Sequence, residues 1–141
     1  MLTDEMREKL IQEARQARSR AYAPYSNYTV GAALLTASGQ IYTGANIENA
    51  AYPDTICAER VAVFKAVFEG EKEFIAIAVV SSNGGFPCGS CRQVLAEFGL
   101  QTRVLVAKED GALLFEATLG DLLPGAFLPE HLNERDSRRG G

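Results

Sequence analysis

Two short stretches hold most of the chemistry this sequence can offer: Cys57-Ala58-Glu59-Arg60, and further on Pro87-Cys88-Gly89-Ser90-Cys91. The chain has 3 cysteines, an odd set that cannot all pair within one chain. A Cys-x-x-Cys spacing suits a metal site or a redox pair better than a structural crosslink. Each stretch opens a segment with a helical pattern. The free backbone amides of a helix start favour negative charge, so sulfurs placed there are readily held as thiolates. Thiolate is the form that zinc binds. Cys88 and Cys91 share the face of one first turn, and Cys57 brings a second helix to the same ion.

Three sulfurs leave a fourth coordination position. His131, the sole histidine, follows the last expected core element and is poorly placed to fill it. A water is the better fourth ligand, and an open position is the mark of a catalytic zinc site. With Cys57 at the helix cap, Glu59 falls beside that water and suits proton transfer rather than metal binding. Three thiolates carry more negative charge than one zinc ion neutralises, which opposes acidification of the water. Arg60, one helical turn after Cys57, supplies compensating positive charge. Taken alone, Cys88-x-x-Cys91 also fits a redox pair or buried packing. A closed structural zinc site would need a fourth protein ligand and has no use for a buried carboxylate at its side.

Flanking patterns show how these residues are positioned. Met6, Leu10, Ile11, Ala14, Ala17 and Ala21 recur at helical spacing, predicting an amphipathic helix from Thr3 to about Tyr22 that covers a sheet. Tyr28 to Leu35 and Gln40 to Gly44 flank Thr36-Ala37-Ser38-Gly39 as a hairpin. Ala58 to Phe68 is a largely apolar helix, Phe74 to Val80 a strand, Arg92 to Phe98 a second short helix and Arg103 to Ala107 another strand. Ala112 to Ala117 and a short turn or helix over Leu119 to Leu123 complete the pattern. Alternation of element types predicts a three-layer α/β/α sandwich with a central mixed sheet, its strand order left open. We expect a single catalytic domain over 1–131 and a flexible tail over 132–141.

The balance of 47% hydrophobic and 23% charged residues is that of an ordinary globular domain. A net charge of -4 with no basic stripe argues against a nucleic-acid partner. No apolar run reaches transmembrane length, and the acidic start Met1-Leu2-Thr3-Asp4-Glu5 lacks the layout of a secretion signal, so the expected location is cytoplasmic with no membrane partner.

Cys-Ala-Glu followed by Pro-Cys-x-x-Cys is a cytosine-deaminating signature with cysteine in place of the more widespread histidine. From about Tyr22 to Phe127 the chain resembles the small, homotetrameric, zinc-dependent cytidine deaminases. Pro24-Tyr25-Ser26, Val30-Gly31-Ala32-Ala33, Gly44-Ala45-Asn46-Ile47-Glu48-Asn49, Phe64-Lys65-Ala66 and Leu122-Leu123-Pro124-Gly125-Ala126-Phe127 carry the rest of the likeness. The resemblance implies a cytidine deaminase-like fold and hydrolysis of free cytidine and deoxycytidine to uridine and deoxyuridine with release of ammonia. Zinc is then held by Cys57, Cys88 and Cys91, with Glu59 as proton shuttle and the backbone of Ala58 against the pyrimidine. Asn46 and Glu48 resemble the residues that hold the ribose hydroxyls in that family, and Tyr28 stands where the family commonly has phenylalanine against the base. The same resemblance implies that Ala50, Tyr52 and Phe127 are contributed across subunit boundaries of a homotetramer. From the residues alone, Asn46, Glu48 and Asn49 also fit a loop bonded to its own backbone, Tyr28 a core aromatic, and Phe127 an anchor for the tail. The chain departs from the family pattern at Ser90, where alanine is usual, and at Pro53-Asp54. The Tyr28 hydroxyl needs a partner if buried.

Overall fold

The computed structural model describes residues 2–132. The chain opens with α1 (Asp4–Arg18), followed by a hairpin of β1 (Val30–Thr36) and β2 (Ile41–Ala45). Then come α2 (Ala58–Phe68), β3 (Phe74–Ser81), α3 (Gly89–Ala96), β4 (Arg103–Lys108), β5 (Leu113–Thr118) and the single turn α4 (Leu119–Leu122). The strand order is β2-β1-β3-β4-β5. β1 runs antiparallel to β2 and to β3, β3 and β4 are parallel, and β4 and β5 are antiparallel. The sheet is therefore mixed, with helices on both faces, as the alternation of types predicts.

Side-chain alternation along the strands divides the core in two. Ala33, Leu35, Ala76, Ala78, Val80 and Leu105 face α1 through Leu10, Ile11 and Ala14. Ala32, Leu34, Ile77, Val104 and Val106 face the other way, toward Ala62, Val63 and Ala66 of α2 and Leu95 of α3. Full burial of a side chain such as Leu10 or Leu105 stabilises by about 1.5–3 kcal/mol. Two glycines let the layers approach closely. A Cβ on Gly31 would lie 2.0 Å from the Ala14 carbonyl oxygen, and one on Gly44 would lie 2.4 Å from that of Ala58. Each helix therefore rests directly on strand backbone.

Several boundaries differ from the sequence reading. α1 ends at Arg18, short of Tyr22, because the Tyr22 amide bonds the Asn46 carbonyl at 2.9 Å and its carbonyl accepts from Glu48 at 2.8 Å. Pairing with a distant loop thus outweighs continued helical spacing. β1 begins at Val30 rather than Tyr28, since the Tyr28 carbonyl is taken by the Asn46 side chain at 2.8 Å. α3 starts earlier, at Gly89, with Cys88 as its cap, and stops at Ala96. Beyond Leu132, the tail expected from the sequence lies outside the described residues. Among the described residues no helix is long and apolar enough to cross a membrane.

Candidate active site

β2 and β3 both run antiparallel to β1, so their C-terminal ends, Ala45 and Ser81, lie at the same end of the sheet beside Gly31 and Val30. The helices that follow them, α2 and α3, start at that end. Cys57 caps α2 and Cys88 caps α3, with Cys91 in the first turn of α3. Neither cap is closed by its own side chain, so both sulfurs remain available. Cys57 Sγ and Cys88 Sγ are 3.8 Å apart, and Cys88 Sγ and Cys91 Sγ 3.5 Å. All three lie within 4.8 Å of one another. Ligand sulfurs about 2.3 Å from a tetrahedral zinc are about 3.8 Å apart, so the cluster fits such an ion. Among the described residues this is the one group of three or more Cys, His, Asp or Glu side chains arranged to hold a metal. His131 lies elsewhere, its Nδ1 accepting from the Leu128 amide at 2.9 Å.

Charge is distributed unequally over the sulfurs. The Cys57 thiol is pulled down to about 5, first by Cys91 as proton donor and then, against burial, by the Arg60 guanidinium and Cys88. Cys91 is pushed up because it donates to Cys57 and is fully buried. Arg60 Nη2 donates to Cys57 Sγ at 3.3 Å, and this contact raises the Arg60 pKa. A metal that takes all three sulfurs as thiolates must therefore displace protons.

Glu59 is 4% exposed, in the first turn of α2. Burial pushes its carboxyl up to about 7, and the charge on Cys57 adds to that effect. A carboxyl poised there accepts and returns protons near neutrality. Glu59 lines a pocket of about 210 Å³ together with Cys57, Cys88, Ala58, Tyr28 and Asn46. Thr55, Val30, Val79, Gly85 and Phe86 complete the wall.

The structure thus brings six residues named from the sequence to one pocket: Cys57, Ala58, Glu59, Cys88, Tyr28 and Asn46. Cys91 and Arg60 lie at the sulfur cluster. Asn46 uses both ends of its amide on backbone, accepting from Val30 N at 2.9 Å and donating to Tyr28 O at 2.8 Å. Glu48 lies outside this wall and accepts from the amides of Tyr25 and Ser26, at 2.9 and 3.1 Å, and from the Ser26 hydroxyl. These bonds, the Ser26 hydroxyl first, hold its carboxyl below the usual range. Glu48 lines an adjacent cavity of about 390 Å³ with Tyr25, Ser26, Tyr52 and Thr55. Ala50 is exposed, and Phe127 stacks on His131 with ring centroids 5.6 Å apart. Neither lines the pocket.

Sequence reasoning gave no site role to Val30, Thr55, Val79, Gly85 and Phe86. Phe86 directly precedes Pro87-Cys88, and an aromatic at that position was the available signal. Val79 is one apolar strand residue among many, and its place in the wall follows only from the pairing of β3 with β1.

Comparison with known proteins agrees with this geometry. Residues 4–108 match the cytidine and deoxycytidylate deaminase zinc-binding region. The chain is 51% identical over 128 residues to the cytidine deaminase of Sporosarcina psychrophila, covering 89% of this chain and 94% of that protein. It is 50% identical over 131 residues to the cytidine deaminase of Halalkalibacterium halodurans, covering 91% and 98%. The crystal structure of cytidine deaminase from Burkholderia pseudomallei superposes with a TM-score of 0.81 at 45% identity, over 89% of this chain and 99% of that one. The matched region and a sulfur cluster able to hold a metal place the chain among the zinc-binding deaminases. The chain belongs to the cytidine and deoxycytidylate deaminase family.

Proposed function

We propose that this chain hydrolyses the exocyclic amine of free cytidine and deoxycytidine, giving uridine or deoxyuridine and ammonia. The observation that carries the reading is the buried Glu59 carboxyl set beside the three-sulfur cluster in the pocket wall. Zinc held by Cys57, Cys88 and Cys91 would supply the activation of water that the reaction needs. Glu59 takes a proton from the attacking water and delivers it to ring N3, which makes C4 electrophilic. After oxygen has added to C4, Glu59 carries the remaining hydroxyl proton to the amine, and ammonia leaves as the C4–N bond breaks. Arg60 holds positive charge against Cys57 throughout. The backbone of Ala58 and the ring of Tyr28 bound the space for the base.

The adjoining cavity shares Thr55 with the base pocket and leaves room for a sugar. Asn46 would reach ribose only by sharing an amide that already bridges Tyr28 and Val30, whereas Glu48 faces the sugar cavity directly. A Glu48 carboxylate held in its charged form repels a phosphate there, which favours a nucleoside over a nucleotide. The net charge of -4 disfavours a polynucleotide substrate.

We further propose a homotetramer in which Ala50, Tyr52 and Phe127 complete a neighbour's site. In support, Tyr52 and Phe127 are 71% and 47% exposed on the single chain, and Phe64 and Phe68 stand in an apolar groove along α2. Incubation with cytidine, followed by loss of cytosine absorbance and release of ammonia, tests the activity. Zinc-replete protein that releases none contradicts it. Sedimentation of the same sample tests the assembly, and an active monomer contradicts the shared site.

A further inference from the structure

The Tyr28 hydroxyl has a specific partner. It donates to Asn83 Oδ1 at 2.6 Å, from just before β1 across to the segment joining β3 to α3. That segment ends in Phe86, Pro87 and Cys88, so it carries one wall of the pocket and one of the sulfurs. Its backbone is organised around Ser81, the last residue of β3, which is 1% exposed. The Ser81 hydroxyl accepts from the amides of Gly84 and Gly85 at 3.0 and 2.9 Å and lies 3.4 Å from the same Asn83 oxygen. Asn83, itself exposed, thus has its Oδ1 held between the buried Ser81 hydroxyl and the Tyr28 phenol.

Shape supports the same connection independently. A Cβ added to Gly85 would lie 2.8 Å from Tyr28 Oη, closer than real contacts allow. The phenol oxygen occupies the space that the missing Gly85 side chain leaves open. A phenylalanine ring at position 28 would still form the wall but would have no group to join it to Asn83.

We propose that Tyr28 is a positioning residue whose hydroxyl latches the 82–87 segment through Asn83 and Gly85, holding the Phe86 side of the pocket in its binding shape before substrate arrives. The inference rests on the nucleoside deaminase reading for its kinetic consequence, but the latch itself is a property of the free protein. A segment held in place beforehand loses less freedom when ligand binds, so the benefit falls on affinity rather than on the proton transfers at Glu59.

The test is a mutant cycle on the zinc-loaded protein with two readouts. Asn83→Ala loses the Tyr28 bond together with the longer Ser81 contact and should raise KM for cytidine by about two- to tenfold, while kcat moves much less. Tyr28→Phe should raise KM by a similar factor, and the double variant should add little to either. The Gly84 and Gly85 amides should exchange hydrogen faster in each variant without any ligand. Gly85→Ala should impair binding in the native background and be partly relieved when combined with Tyr28→Phe, since the colliding oxygen is then absent. Unchanged KM and unchanged exchange in Asn83→Ala would overturn the latch, as would fully additive effects of the pair. Faster exchange in a protein that does not turn over cytidine would leave the latch standing and refute the substrate reading instead.

Discussion

Arg60 donates from Nη2 to Cys57 Sγ at 3.3 Å, from one helical turn further along the helix that Cys57 caps. Its Nε is buried without a hydrogen-bond partner, and the guanidinium also acts on Cys91. Removing the charge should weaken the hold on the metal. For Arg60→Gln we expect zinc affinity or turnover to fall by about 10- to 100-fold. Arg60→Lys should recover only part, because an ammonium does not reproduce the planar fork. Competition with a chromophoric chelator measures the affinity. Parent-like affinity and parent-like turnover in Arg60→Gln would remove Arg60 from the site.

Close contact between layers gives a prediction about stability. A methyl on Gly31 would meet the Ala14 carbonyl oxygen at 2.0 Å and the Arg18 nitrogen at 2.6 Å, all main-chain atoms that cannot rotate away. Gly31→Ala should therefore destabilise by about 1–3 kcal/mol or more by forcing α1 off the sheet. Gly44→Ala presses on Ala58 and Ala62 of α2 in the same way, and should also disturb the helix start that carries Cys57. Denaturant unfolding reads the cost, and a parent-like midpoint for both variants would contradict the packing.

The clip between α1 and the edge strand should respond to acid. Glu116 accepts from Arg7 at 2.8 and 3.0 Å and from Arg103 at 3.1 and 2.9 Å. The Arg7 bond is the largest cause of its lowered pKa. Because the folded-state pKa lies below the unfolded one, the stabilisation is complete above the ordinary carboxylate pKa. It is lost as pH falls toward the folded value. Melting temperature should thus drop less steeply with acid below about pH 4.3 in Glu116→Gln than in the parent, from a lower starting point. Parallel curves would show that the clip contributes nothing.

The three-sulfur cluster was legible because it needs three residues of one type at helix starts, and both starts carry local patterns. Arg60 came with Cys57 through its one-turn offset, whereas Glu59 could be placed only with Cys57 taken as the helix cap, which is where the fold puts it. The remaining pocket wall is a long-range product. Phe86 and Val79 reach Glu59 only because β3 pairs with β1 and α3 turns back beside α2. Asn46 shows the limit clearly: its type allowed either a sugar contact or a bond to local backbone, and the fold gives both amide ends to residues 28 and 30. The helical period through Ala21 was real but lost to the pairing of Tyr22 with the loop at 46–48.

In the proposed mechanism Glu59 moves the protons without holding the metal. Its direct test is Glu59→Gln, with zinc content and ammonia release from cytidine measured on the same preparation. Glu59→Gln should give a folded protein with parent-like zinc content and turnover reduced by about 10²- to 10⁴-fold. Turnover within about threefold of the parent, with zinc content unchanged, would contradict it.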